Sequence, residues 1–359
     1  MDSQKIIQNK IIKKKISFIV CGNGLGHFKR VLSVCNEIFK INSKIEINIF
    51  CSKKSIDLIN KNENFVSNNN IYFNYDYSLL EPMWLEYPSN LFLKWENWIA
   101  SISKDEKIIK SDVIISDNHI SPLIVSPKTI IMGSFLWCYL DYNKNKQLKD
   151  LIKIEKELIK KYKPRCICVE DIYMPELNSL DLIKLPWFCN KYPKRKIKFL
   201  KKEEYKLLIT AGGTKYSLKK MESIFLKLNN FKIFNIRVDS NLSNYLFSKG
   251  IKCKQFSYLD SEFNKIDLII ARPGIGIITD SIKFNIPICA VTEKNSEILH
   301  NIKILKRLKI GFVLEKTIFD VTNFLNDEDK VNSLISSIEN IKTGGHKLAA
   351  NYIINQISN

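Results

Sequence analysis

Residues Asp267 to Asn301 read DLIIARPGIGIITDSIKFNIPICAVTEKNSEILHN, and this stretch decides the fold. Leu268-Ile269-Ile270-Ala271 is a short apolar run of the kind that forms a buried strand. Arg272-Pro273-Gly274-Ile275-Gly276 interrupts it and admits tight backbone geometry. Ile275, Ile278, Ile282 and Ile286 then recur at helical spacing. Pro287 stops that helix, and Ile288 to Val291 reads as the next strand. Strand, Gly turn, helix and strand make a βαβ unit. Its turn lies at a helix N-terminus, where free N–H groups and the helix dipole favour a phosphate. Asp280 falls two turns into the helix. Glu297 follows the second strand, where a carboxylate can accept hydrogen bonds from ribose hydroxyls.

The same grammar occurs twice more. Lys206 to Thr210 is an apolar strand, Ala211-Gly212-Gly213-Thr214 a second Gly turn, and a helix follows from Ser217. Near the start, Ile16 to Cys21 reads as the first strand. Gly22-Asn23-Gly24-Leu25-Gly26-His27 follows it, and Val31, Leu32, Val34, Cys35 and Ile38 mark a helix. This first turn is not a dinucleotide fingerprint. Its third glycine position is unfilled, and no acidic residue ends the second strand, Ile45 to Phe50.

The run R-P-G-x-G-x-x-x-D, followed by S-E-I-L-H-N, resembles the donor-nucleotide motif of GT-B glycosyltransferases, in the MurG-like and UDP-glycosyltransferase-like group. The usual form there is R-S-G or G-G, a small-residue helix with Glu, then E-Q-x-x-N-A. Here Pro273 replaces Ser or Gly, Asp280 replaces Glu, and Ile298 replaces the Gln after Glu297. The G-N-G-L-G-H run is similar to the first loop of these enzymes, and Gly212-Gly213-Thr214 to the loop that opens their C-terminal domain. The resemblance implies an α/β GT-B architecture, two Rossmann-like domains facing a central cleft. Its implied divisions are an N-terminal acceptor domain at 1–190, a linker at 191–204, a nucleotide-sugar domain at 205–345 and a closing helix at 346–359 that crosses back.

Site expectations follow from the same resemblance. Gly212, Gly213, Thr214, Gly274 and Gly276 would meet the donor diphosphate, Arg272, Asp280 and Glu297 the nucleotide or sugar, and Phe256 the base. Gly22, Asn23, Gly24 and Gly26 would line the acceptor and phosphate loop. His27 would be the general base. Inverting sugar transfer needs a group that removes a proton from the attacking hydroxyl, and imidazole suits this near neutral pH. A carboxylate at its other nitrogen would fix the tautomer. Asp117, ending the run Val113-Ile114-Ile115-Ser116-Asp117, is the candidate. Both residues also have plainer readings, His27 as a structural side chain and Asp117 as a cap on the following turn. His119 is a rival base. No divalent metal and no cofactor are expected, the nucleotide sugar being a substrate.

Composition bounds the rest. The chain has 359 residues, 45% of them hydrophobic, enough for two cores. No apolar run reaches the roughly 18 residues of a membrane span, and the basic N-terminus lacks the pattern of a signal peptide. The nine cysteines show no zinc spacing and read as reduced, packed thiols of a cytoplasmic protein. A net charge of +19 admits three readings: compositional Lys richness, attraction to an anionic membrane or substrate, and nucleic acid. No nucleic-acid motif accompanies it, so no nucleic-acid partner is expected. Ile71 to Ala100 holds Tyr72, Phe73, Tyr75, Tyr77, Trp84, Tyr87, Phe92, Trp95 and Trp98. Such aromatics suit sugar rings and lipid interfaces, or simply a core. The expected enzyme passes a sugar, from UDP in the first instance, to a lipid-linked or polysaccharide-precursor acceptor, with peripheral contact at the inner face of an anionic membrane. A nucleotide-sugar 2-epimerase and a noncatalytic nucleotide-sugar-binding protein are the alternatives.

Overall fold

The computed structural model describes residues 13–22, 25–53, 55–56, 70–76, 90–140, 146–193, 202–212, 215–316 and 318–358. Two wholly parallel sheets carry the chain. The first contains β1 (Lys15–Ile19), β2 (Glu46–Phe50), β3 (Ile71–Asn74), β4 (Val113–Asp117), β5 (Thr129–Met132), β6 (Arg165–Val169) and β7 (Asp181–Leu185). Its spatial order is β3-β2-β1-β4-β5-β6-β7. The second contains β8 (Tyr205–Thr210), β9 (Phe234–Val238), β10 (Lys254–Gln255), β11 (Leu268–Ala271), β12 (Ile288–Ala290) and β13 (Gly311–Val313), in the order β10-β9-β8-β11-β12-β13.

Strands of parallel sheets are covered on both faces, which is why they appear in the sequence as unbroken apolar runs. Every residue of β4 and of β11 is buried. In each sheet the winding direction reverses once, between β1 and β4 in the first and between β8 and β11 in the second. The crevice at the carboxyl ends of the strands at such a reversal is where open α/β sheets hold ligands.

Helices cover the faces. They are α1 (Leu25–Ile41), α2 (Leu91–Ile102), α3 (Glu106–Ile109), α4 (Lys146–Tyr162), α5 (Lys215–Asn229), α6 (Ser240–Phe247), α7 (Asp260–Phe263), α8 (Ile275–Phe284), α9 (Ser296–Leu308), α10 (Ile318–Asn326), α11 (Glu328–Asn340) and α12 (Gly345–Ser358). Helix α1 buries Phe28, Val31, Val34, Cys35 and Ile38, the three- and four-residue spacing of one helical face. Helix α8 ends where Asn285 turns left-handed, with φ 58°, just before Pro287.

The two sheets share one apolar core. Phe18, Val31 and Val34 of the first half belong to the same buried cluster as Ile269, Ile278 and Ile282 of the second. Helix α12 returns to the first half, and its Ala349, Ala350, Ile353 and Ile357 join that cluster. The residues just ahead of the expected linker at 191–204 belong to the core. Trp187 is fully buried, Phe188 and Cys189 are nearly so, and Trp187 bridges to Thr343 just ahead of α12. An aromatic and apolar Pro-Trp-Phe run is therefore core, not tether. Among the described residues no helix is long and apolar enough to cross a membrane.

Candidate active site

The reversal point of the first sheet brings β1 and β4 together, and with them His27 and Asp117, 90 positions apart. His27 Nδ1 lies 2.7 Å from Asp117 Oδ2. The Cys21 backbone N–H donates to the same oxygen at 3.1 Å. The other oxygen, Oδ1, accepts from Arg30 Nη2, whose guanidinium also lies 3.4 Å from the Met132 carbonyl. Asp117 is 1% exposed. Burial by itself would push its carboxyl upward. The charges of His27 and Arg30 and their hydrogen bonds outweigh burial and hold it well below the usual carboxylate range. An ionised Asp117 accepts from Nδ1–H, and Nε2 then carries the lone pair.

The surroundings of this pair are built to fit. Asn118 follows Asp117 with φ 63° and accepts the Ser134 N–H on its Oδ1 at 3.1 Å. A Cβ on Gly133 would stand 1.4 Å from that oxygen, so only glycine leaves room for it. The His27 ring meets Phe135 edge-on at 6.0 Å and Trp137 at 5.8 Å. The rival base His119 is 1% exposed, with its ring against Trp98 and Trp137, so it is sealed from any acceptor. Trp95 and Trp98 are core residues of this aromatic cluster, whereas Tyr77, Trp84 and Tyr87 lie outside the described residues.

Behind the cluster, Glu155 of α4 is 2% exposed and accepts from Ser121 Oγ at 3.3 Å. Burial raises its carboxyl from the ordinary 4.5 to about 7, against the opposing charge of His119 and hydrogen bonds from Ser121 and Cys138. The folded chain therefore holds a proton that the unfolded chain has released, and stability falls as pH rises between those two values. One unit is worth ~1.4 kcal/mol, so the window carries up to ~3 kcal/mol. Glu155→Gln is expected to flatten that slope and to raise stability at pH 8. Urea unfolding at pH 5 and pH 8 measures it, and an unchanged slope would show that Glu155 is ionised in the fold.

The second cluster lies at the reversal point of the other sheet. Gly212 follows β8 with φ 67°, and a Cβ there would meet Arg272 Cδ at 3.9 Å. Arg272 follows β11, its N–H reaching back to the Thr210 carbonyl at 3.3 Å. Its Nε donates to Glu293 Oε2 at 2.6 Å. Glu293 is an acid the sequence reading passed over, because it belongs to no recognised motif. Gly274 caps α8 through its backbone, with open space on its Cβ side. Glu297 stands in the first turn of α9, 3.4 Å from Asn301 Nδ2, and Asn301 also donates to the Pro273 carbonyl at 2.9 Å. Ile298 is fully buried, which explains an apolar residue where the resemblance led to a Gln.

Three of the expected donor residues are engaged in contacts within the chain. Phe256 is 1% exposed, its ring edge-on to Tyr258 and Phe263, so its face is covered and cannot stack on a base. Asp280 pairs with Lys29 of α1 at 2.9 Å, a contact between the two halves. Gly276 packs on Gly26, where a Cβ on either residue would stand 2.8 Å or less from the other's Cα. Asn23, Gly24, Gly213 and Thr214 lie outside the described residues, while Gly22 is half-buried at the end of β1.

The Gly26–Gly276 contact joins the two clusters. His27 follows Gly26 directly, and Gly274 stands two residues before Gly276. Ile275 packs into the Trp137 cluster. Helix α9 is tied to the first half by Ser296 Oγ on the Leu140 carbonyl at 2.7 Å, His300 Nε2 at 3.1 Å from the Ile172 carbonyl, and Arg307 on the Asp171 carbonyl at 2.6 Å.

The donor atoms of Cys21, His27 and Asp117 lie within 4.8 Å of one another, a spacing that can gather around a cation. The Arg30 guanidinium on the same carboxylate opposes a second positive charge there. The Asp327-Glu328-Asp329 run opens α11, where Asp327 caps the helix by accepting from the Lys330 N–H.

No family model matches the chain, and no curated protein matches it. Solved structures do. The glycotransferase of kitacinnamycin superposes with a TM-score of 0.62 at 11% identity, over 96% of this chain and 99% of that one. A glycosyltransferase of Streptomyces sp. SF2575, solved with thymidine diphosphate, gives 0.56 at 12% identity, over 95% and 99%. UDP-glucose: anthocyanidin 3-O-glucosyltransferase, solved with UDP, gives 0.57 at 11% identity, over 96% and 99%. At such identities the likeness concerns the fold. The chain has the two Rossmann-like domains of the GT-B arrangement.

Proposed function

We propose that a chain with this fold and this histidine is an inverting glycosyltransferase, moving a sugar from a nucleotide-sugar donor, UDP-linked in the first instance, to a hydroxyl of a glycan or lipid-linked acceptor without a divalent metal. One observation carries the reading. The His27–Asp117 pair, with its 2.7 Å hydrogen bond, sits one residue from the backbone contact that abuts the N-terminal turn of α8. In this reading the base and the N-terminal turn of α8 serve one reacting centre.

In this mechanism His27 Nε2 takes the proton of the acceptor hydroxyl as its oxygen attacks the anomeric carbon. The bond from that carbon to the diphosphate breaks, and its electron pair leaves with the phosphate. The backbone N–H of Ile275 in the first turn of α8, the turn at Gly212, and Arg272 meet the developing charge. Asp117 holds the imidazole and stabilises the imidazolium that forms. Structural relatives solved with UDP and with thymidine diphosphate support a nucleotide donor. A net charge of +19 and the exposed Tyr72 and Tyr75 of the N-terminal half support an anionic, glycan or lipid-linked acceptor and peripheral contact with an anionic membrane. We also propose the division into 1–190, 191–204, 205–345 and 346–359. In its support, the first sheet ends at Leu185 and the second begins at Tyr205.

A panel of UDP-, dTDP-, GDP- and CMP-sugars in a thermal-shift assay, with and without magnesium, tests the donor. A ligand at ~100 times its Kd adds ~2.7 kcal/mol, so one UDP-sugar is expected to raise Tm without magnesium. No shift with any nucleotide would reduce the Gly212 and Gly274 turns to structural features. A second reading, a noncatalytic nucleotide-sugar-binding protein, draws on Asp280 being engaged by Lys29 and on the burial of Ile298. Stabilisation by a nucleotide sugar with no transfer to any hydroxyl would favour it.

A further inference from the structure

Arg30 is an arginine that the fold buries, 7% exposed, on the side of α1 that also carries Val34 four residues on. Burying a cation is costly unless it is paired and hydrogen-bonded, and its pairing is specific: Asp117 Oδ1, with the Met132 carbonyl nearby. Asp117 thus has two hydrogen-bond partners at once, His27 on one oxygen and Arg30 on the other. We propose that Arg30 is a positioning residue whose permanent charge satisfies Asp117 and so leaves His27 neutral and able to accept a proton. The inference rests on the glycosyl-transfer reading for its catalytic meaning, though not for its test.

The argument is one of charge balance in a buried site. With a neutral imidazole, Arg30 and Asp117 sum to zero. Without the guanidinium, a carboxylate 1% exposed would stand unbalanced, and the nearest way to neutralise it is a proton on His27. A protonated His27 has no lone pair for an acceptor hydroxyl. Asp117 would then orient the base and spoil it together. Arg suits this task because its guanidinium stays charged at any working pH, and one nitrogen, Nη2, reaches both the Asp117 carboxylate and the Met132 carbonyl.

The other groups around His27 leave this balance alone. The Cys21 thiol, at the end of β1, is the remaining titratable neighbour in the cluster. Asn118 Nδ2, 3.4 Å from His27 Nδ1, and the rings of Phe135 and Trp137 are uncharged. Lys29 and Asp280, on the face of α1 toward the second half, neutralise each other. His119 stands beyond Trp137, with Glu155 behind it.

Two conservative variants separate charge from shape. Arg30→Gln keeps a hydrogen-bond donor for Asp117 and removes the charge. Arg30→Lys keeps the charge and removes the fork. The readout is the titration of His27 in the ¹⁵N-imidazole-labelled chain without substrate, followed by NMR, with His27→Gln identifying its signal among the four histidines. In Arg30→Gln the His27 midpoint is expected to rise by about one to three pH units, the effect of an unopposed neighbouring charge. In Arg30→Lys it is expected to stay close to wild type. An unmoved midpoint in folded Arg30→Gln, or a larger rise in Arg30→Lys than in Arg30→Gln, would overturn the proposal. Loss of Tm in either variant with no change in the titration would make Arg30 merely structural and would overturn it too. Where sugar transfer is measurable, the acid limb of kcat/KM is expected to move with the midpoint. Failure to find any transfer would sink the glycosyltransferase reading and leave the titration result standing.

Discussion

His27→Ala is expected to lower kcat by about 10²–10⁴-fold, the usual contribution of a positioned general base, while nucleotide-sugar binding persists. The reason lies in how little else the side chain does. His27 is only partly buried, 14% exposed at its side chain. Its one short hydrogen bond goes to Asp117, which keeps Arg30 and the Cys21 N–H when the imidazole is gone. The fold therefore survives, and the loss falls on chemistry. The proposed donor loops at Gly212 and Gly274 are untouched, so a UDP-sugar is expected to raise Tm in the variant as in the wild type. Initial rates of sugar transfer, with thermal shift alongside, make the measurement. A variant that transfers sugar at the wild-type rate would remove His27 from the mechanism. One that binds no nucleotide would mean that the first loop shapes the donor site.

The second large effect concerns the contact between the halves. In Gly276→Ala the new Cβ stands 2.7 Å from Gly26 Cα and 3.3 Å from Gly26 N. Both obstacles are backbone, so no side chain can swing aside, and α1 and α8 must separate. Lys29 is then drawn off Asp280 at 2.9 Å and off the ring of Tyr258 at 5.2 Å. Ile275 is lifted from the Trp137 cluster. Overpacking of this kind costs about 1–3 kcal/mol. A shift of about 1 Å between the base and the donor turn is enough to cost ~100-fold in rate. Urea unfolding and kcat are expected to fall together in Gly276→Ala, with a larger radius of gyration in solution scattering. Wild-type stability and rate would mean that the two backbones do not touch in solution.

The strands were legible because of where they lie. β4 and β11 are covered on both faces, so Val113-Ile114-Ile115 and Leu268-Ile269-Ile270-Ala271 had to be apolar throughout. Glycines between such a run and a helical pattern then marked βα turns. The pairing of His27 with Asp117 was legible for a related reason: Asp117 ends β4, and His27 opens α1 beyond the carboxyl end of the neighbouring β1, the edge where parallel sheets hold ligands. Phe256 misled, because an aromatic after a strand looks the same whether its ring faces a ligand or the core. The ion pair at Asp280 was not legible, because its partner, Lys29, is 251 positions away. Arg30 passed unnoticed: three residues after His27, it reads as an ordinary exposed helix position, and its burial depends on an acid 87 positions away.

By itself the sequence determined the repeated strand, Gly turn and helix, the two halves they build, and the residues that end each strand at the reversal points. These are properties of near neighbours along the chain, set by side-chain period, by β-branching and by the backbone freedom of glycine. Only the tertiary structure decided what meets what across the halves: Gly26 on Gly276, Lys29 on Asp280, Ser296 and His300 on backbone carbonyls of the first half, and Arg30 beside Asp117. Each of these contacts joins residues that no local pattern relates. Their chemistry follows from distance and burial in the folded chain, which the order of residues specifies only through the fold as a whole.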